Sequence, residues 1–196
     1  GALVDDGVLR WDQPVVDVVP AFRLDQDHAT LHTTIRDLLA HRTGLPRHDL
    51  AWHGVGLTDD ELLFRLRHLE GPRSFRDRFH YHNLLFAVAG RAASEAAGAP
   101  WSGLLASRLL EPLAMTRTTA SLEAVRRSDD YAVPHHAGDS GSAAAAFTEV
   151  GALAPAAGLS STARDLAGWV RFHLGDGTFA GTRLLTAATL REMHTP

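Results

Sequence analysis

The periodicity of this chain constrains its fold more than any other feature. Apolar residues return at helical spacing in segment after segment, each with its own start and stop signals, and no stretch alternates as a half-buried strand does. In "TTIRDLLAHRTGLP", Thr34 and Asp37 form a capping-box-like start, with Asp in place of the usual Glu. Ile35, Leu38 and Leu39 share one face, and Gly44 and Pro46 supply the stop. "LTDDELLFRLRHLEGP" opens on a Thr58/Glu61 capping box, carries Leu62, Leu63, Leu66 and Leu69 on one face, and closes at Gly71-Pro72. A longer helix is predicted from about Asn83 to Ala97, closed by Gly98. Pro100 suits the first turn of the next one, which Pro112 breaks near Leu110.

Between these helices the pattern loosens. Pro14 and Pro20 within short apolar runs predict extended, irregular chain over residues 7–22. The small-residue stretch "HHAGDSGSAAAAF" reads as a surface loop. Thr162, with Asp165 three residues on, starts another helix, whose inner face is predicted to be Leu166, Trp169, Val170 and His173; a short segment and a final helix follow. There is no internal repeat. The predicted fold is mainly α, and any sheet it packs on must come largely from outside the chain.

Composition narrows the function. The chain has 196 residues and a net charge of −4, which lacks the basic face of a nucleic-acid binder. No apolar stretch approaches a membrane span. Cys is absent, so there is no thiolate site and no disulfide framework. All 19 basic residues are Arg. Ala2, Leu3 and Val4 running into Asp5-Asp6-Gly7 resemble the last turn of a helix, and the chain stops abruptly at "LREMHTP". The expectation is a single partial domain over 1–196, a piece of a larger protein.

Several motifs carry little. "GDSGS" at 138–142 matches the surroundings of a chymotrypsin-type nucleophile, yet no run of short strands is present to build that fold. The 12 His residues include the pairs His80/His82 and His135/His136 and the trio His41, His48 and His53, without metal-ligand spacing or acidic partners, so neither metal nor cofactor is expected. Asp59-Asp60-Glu61 suits a helix N-terminus better than a catalytic pair.

"RFHYHNLLFAVAG" at 78–90 places a phenol, Tyr81, and a carboxamide, Asn83, at the mouth of an apolar helix. Read alone, Tyr81 is a half-buried packing residue and Asn83 an N-cap. Its neighbours add to that reading. "TIRDLLAHRTGLP" is similar to the T-I-R-x-L-L-x-H-x-S-G-L-P stretch of the serine β-lactamase-like hydrolases, which include class C β-lactamases, D-alanyl-D-alanine carboxypeptidases and esterases. "FHYHNLLFAVAGRAASEAAGAPW" resembles their F-x-Y-S-N segment, "RLLEPLAMTRTT" their I-x-x-P-L-G-M-x-x-T, and "PAAGLSSTARDLAGWVRFHLGDG" their P-A-G-G-L-x-S-T-A-x-D-L-A-x-F. "GALVDDGVLRWDQPVVDVVPAF" resembles their L-V-D-E-G opening block. Five ordered blocks cover essentially the whole chain.

The resemblance implies a helical subdomain of the α/β β-lactamase/transpeptidase-like fold, with most of the sheet outside the chain. It implies acyl transfer through a Ser ester on a β-lactam, a D-amino-acid peptide or an ester, with Tyr81 and Asn83 as catalytic residues and His82, Gly158 and Leu159 at the substrate pocket. The family's active site combines S-x-x-K, Y-x-N and a K-T-G or H-x-G strand. A chain without Lys cannot hold the first, so by itself it is expected to be inactive. A free phenol, with pKa about 10, is a poor base at neutral pH, and the charge that would lower it is expected from that absent Lys. Thr43 replaces the usual Ser, His82 stands between Tyr and Asn, Ala157 replaces a Gly, and Ala114 replaces the Gly of P-L-G-M, which puts a left-handed backbone there in question. The alternatives are a non-catalytic binding or sensor relative and a helical interaction domain. Many members of the family act on cell-wall material, which favours a periplasmic, secreted or cell-envelope location over a cytoplasmic one without fixing it. Neither the substrate nor the oligomeric state is read from the sequence.

Overall fold

The computed structural model describes residues 1–71, 75–138 and 141–195. Pro72 of the predicted Gly71-Pro72 stop, and Asp139 and Ser140 of "GDSGS", lie outside them. The predicted helical character holds. In chain order the helices are α1 (Ala2–Asp5), α2 (Asp27–His32), α3 (Ile35–Leu39), α4 (Asp59–Leu66), α5 (Asn83–Ala97), α6 (Trp101–Leu105), α7 (Leu122–Arg127), α8 (Ala154–Ala157), α9 (Ala163–His173) and α10 (Ala187–Met193). Among the described residues, strands form two small antiparallel hairpins: β1 (His135–Gly138) with β2 (Gly141–Ala144), and β3 (Thr178–Phe179) with β4 (Thr182–Arg183). The stretch 135–147, expected to be a loop, is therefore partly a fully exposed hairpin. Its small residues gave no alternating pattern because neither face is buried.

The architecture is organised by α5. Leu84, Leu85, Ala87, Val88, Ala89 and Ala92 are all buried, and α3, α4, α6 and α8 pack around this one helix. Small residues allow the close approach: a Cβ on Gly90 would lie 2.3 Å from Pro155 Cγ of α8. The main core joins α5 to Val15, Phe22, Leu38, Leu45, Leu66 and Leu153. Each such side chain contributes about 1.5–3 kcal/mol of burial, which fixes the helix that starts at Asn83. A smaller core gathers Leu113, Met115, Phe172, Leu185 and Leu190.

Local signals explain most boundaries. Both capping boxes close reciprocally, Thr34 with Asp37 and Thr58 with Glu61. Gly7 and Gly98 take left-handed φ of 71° and 64° after α1 and α5, as the sequence predicts. Ahead of Pro112 the chain widens into a π-turn over Ala106–Leu110.

Three expectations are corrected. Helix α3 stops at Leu39 rather than at Gly44. His41 takes the left-handed conformation at φ 56°, and the Arg42 N–H closes the end on the Asp37 carbonyl at 2.9 Å. The inner face of α9 is rotated: Leu166 and Val170 are about half exposed, while Asp165 and Phe172 are buried and Trp169 packs on the smaller core. Asp165 is held inside because Thr118 Oγ1 and the Arg117 N–H donate to its carboxylate at 2.8 and 2.9 Å. It therefore does not return to Thr162 as a full capping box would, although Thr162 still caps its N–H. Lastly, Ala114 keeps the left-handed backbone at φ 54°, with Met115 N–H on the Leu110 carbonyl at 2.8 Å. A Cβ is strained there, so Ala114→Gly is expected to stabilise the protein by about 1 kcal/mol, read as a higher urea midpoint at unchanged m.

Blocks distant in sequence meet in space. Trp11 and Gln13 accept from the backbone N–H groups of Arg36 and Ile35. Thr119 and Ser160 form a bridge, and Thr118 Oγ1 lies 2.7 Å from Ser161 Oγ. Asp5 accepts from the Thr186 N–H and from the Thr186 and Thr189 hydroxyls, tying α1 to α10.

Candidate active site

Residues 79–83 run extended into the N-terminus of α5. The helix cap is His82, not Asn83: Nδ1 of His82 accepts from the Leu85 N–H at 3.4 Å, and Asn83 is the first helical residue. Capping by the intervening residue leaves the Asn83 carboxamide uncommitted. The residue is 8% exposed, and its side chain makes no hydrogen bond among the described residues. Tyr81 is 43% exposed, with its hydroxyl likewise unbonded there.

The platform beneath them is built from α3 and its C-terminal turn. Arg76, at φ 62°, grips the Asp37 carboxylate with Nε at 2.9 Å and Nη2 at 2.6 Å, and donates to the His32 carbonyl. Its own carbonyl accepts from Arg42. Burial pushes the Asp37 carboxyl up, but hydrogen bonds from Arg76 and Thr34 outweigh it and hold the group below the usual carboxylate range.

His41 then fixes residues 79–86. Its carbonyl accepts from the His80 N–H at 2.9 Å, and its Nδ1 accepts from the His82 N–H at 3.2 Å. Its ring centroid lies 4.6 Å from that of Tyr81, 5.5 Å from Phe79 and 5.6 Å from Phe86. Burial lowers the His41 pKa, which keeps the ring neutral and Nδ1 available as an acceptor. We expect His41→Ala to lower kcat for the acylation proposed below by about 10- to 100-fold, while His41→Asn, which tolerates left-handed φ and carries an acceptor, recovers most of it. Equal loss in both variants would assign His41 a packing role only.

His82 is the most buried polar group of the site. Burial, with lesser effects of His48 and His41, pushes it down to about 3. Nε2 of His82 and Nε2 of His48 are buried without hydrogen-bond partners among the described residues, their ring centroids 6.1 Å apart. His80 and His82 differ in burial: His82 is 1% exposed, whereas His80 is half-buried. Among the described residues no group of three or more His, Cys, Asp or Glu side chains is placed to hold a metal ion.

A cation stands beside Tyr81. The guanidinium carbon of Arg47 is 5.3 Å from the Tyr81 ring centroid. Positive charge next to the phenol thus does not depend wholly on residues absent from the chain. Arg47 directly follows the H-x-T-G-L-P block, and His41 is the block's own His, but neither carries a sequence signal for contact with a Tyr some 40 residues on.

Gly158 and Leu159 lie elsewhere on the same scaffold. They follow α8, which is docked on α5 at Gly90, and their neighbourhood is tied to Ala154 and, through Ser160, to Thr119. A Cβ at Gly158 would sit 2.7 Å from Ala154 Cα, so the glycine is required. Leu159 is about half exposed. Tyr81, His82 and Asn83 are neighbours along the chain, and among the described residues no hydrogen bond joins Gly158 or Leu159 to them.

The helix mouth thus carries an exposed Tyr81 followed by Asn83 in the first turn of α5. A model of the Beta-lactamase family matches residues 1–196, and the chain belongs to that family. The chain is 33% identical over 138 residues to an unguisins hydrolase of Aspergillus campestris, covering 64% of this chain and 25% of that protein. It is 30% identical over 202 residues to penicillin-binding protein 4 of Amycolatopsis lactamdurans, covering 98% of this chain and 51% of that one. Its fold superposes with TM-score 0.83 on the octameric penicillin-binding protein homologue of Pyrococcus abyssi, at 22% identity, over 99% of this chain and 45% of that one. The chain thus spans at most about half the length of these relatives.

Proposed function

We propose that the protein is a serine hydrolase that works through an acyl-enzyme on β-lactam, D-amino-acid peptide or ester substrates, and that this chain contributes Tyr81 and Asn83. In this reading a Ser Oγ outside the chain attacks the substrate carbonyl. Tyr81, with a Lys also outside it, takes the Ser proton and relays it to the leaving group, and water then cleaves the ester. The Asn83 carboxamide, both donor and acceptor, orients the substrate amide and the Lys.

The observation that carries the reading is the pairing of an exposed Tyr81 with an Asn83 whose carboxamide makes no hydrogen bond among the described residues, both held at the N-terminal end of the helix on which α3, α4, α6 and α8 pack. The exposed Leu166 and Val170 of α9 and Leu174 just after it, and the greater length of the relatives, support the placement of the sheet outside this chain. The test is covalent labelling of the full-length protein by a fluorescent penicillin or a p-nitrophenyl ester, compared between the native sequence and Tyr81→Phe. A native protein that never acylates would favour a non-catalytic binding relative.

A further inference from the structure

Arg47 is placed like a binding group. Its side chain is 59% exposed, and its guanidinium lies over the Tyr81 ring, 5.3 Å from the centroid. Asp49 meets it through Nε, and no hydrogen bond from Nη1 or Nη2 to a protein acceptor is present among the described residues. The Asp49 contact fixes the guanidinium plane while the terminal N–H groups stay available, the geometry that pairs a guanidinium fork with two carboxylate oxygens. The surface beside it is aromatic: Tyr81 at 43% exposure and Phe79 at 62%, with the His41 ring packed against both. The other charged pair on this segment, Asp77 with Arg78, is self-compensated.

We propose that Arg47 is a specificity-determining residue that binds a carboxylate carried by the substrate where it lies over Tyr81. A single guanidinium, already partly balanced by Asp49, suits one negative charge rather than a dianion. The aromatic shelf suits an apolar segment attached to that carboxylate. The inference rests on Tyr81 marking the reaction centre.

The test uses the full-length protein and three esters: neutral 4-nitrophenyl acetate, 4-nitrophenyl hemiglutarate with the carboxylate on the acyl portion, and 3-carboxy-4-nitrophenyl acetate with it on the leaving group. We expect the native protein to prefer one anionic ester, which locates the carboxylate. The ratio of its kcat/KM to that of the neutral ester should fall about tenfold or more in Arg47→Gln and further in Arg47→Glu, with salt weakening the native preference. Reading the ratio removes any general disturbance of Tyr81. A ratio unchanged across the three proteins, with neutral-ester turnover still dependent on Tyr81, overturns the role of Arg47 and leaves the proposed function standing. Turnover of all three esters indifferent to Tyr81→Phe overturns both.

Discussion

Tyr81→Phe in the full-length protein is expected to lower acylation by a β-lactam or p-nitrophenyl ester by about 10²- to 10⁴-fold, the range a positioned proton-transfer group contributes. The thermal midpoint should barely move. The hydroxyl makes no hydrogen bond among the described residues, so its loss breaks nothing in the fold, while the ring keeps its packing on His41 and its place beneath Arg47. Stopped-flow acylation and a thermal melt on the same preparation separate the two effects. Acylation at the native rate would remove Tyr81 from the chemistry, and a large fall in melting temperature would make it structural.

The second large effect is acid lability centred on His82. An unfolded His binds a proton below about 6.5, whereas folded His82 stays neutral down to about 3. Between those values the unfolded chain holds more protons, so stability falls as pH falls. The cost at pH 4 relative to pH 7 is on the order of 3 kcal/mol from this one residue. His48 and His41 face the same space and add repulsion once charged, and Asp49 partly offsets them. His82→Asn keeps a cap acceptor for the Leu85 N–H and cannot titrate. Its unfolding free energy, measured in urea from pH 7 to pH 4, should lose that share of the slope even if its value at pH 7 is lower. Parallel pH profiles for the two proteins would show that His82 is not the acid-sensitive group.

Legibility followed the range of the interactions. The capping boxes at Thr34 and Thr58, the span of α5 and its stop at Gly98 were readable because each depends on residues within a turn or two. The resemblance singled out Tyr81 and Asn83 as candidates but not the contacts that support them. The face of α9 was misread because a buried carboxylate, Asp165, won over Leu166 and Val170 once Thr118 and Arg117 satisfied it. The stop of α3 was displaced to His41 because that ring has partners on a segment far along the chain.

The sequence by itself therefore determined a mainly helical chain, its family, the central helix and the residues at that helix's mouth, since helical period, caps and ordered motifs are local properties. Only the tertiary structure decided that His82 caps α5 and leaves Asn83 unbonded among the described residues, that His41 and Arg76 clamp the approach to it, and that Arg47 overlies Tyr81. Apart from the His82 cap, which is local, those contacts join residues that lie roughly 35 to 40 positions apart, and their strength depends on distance and burial in the folded chain, which no local pattern encodes.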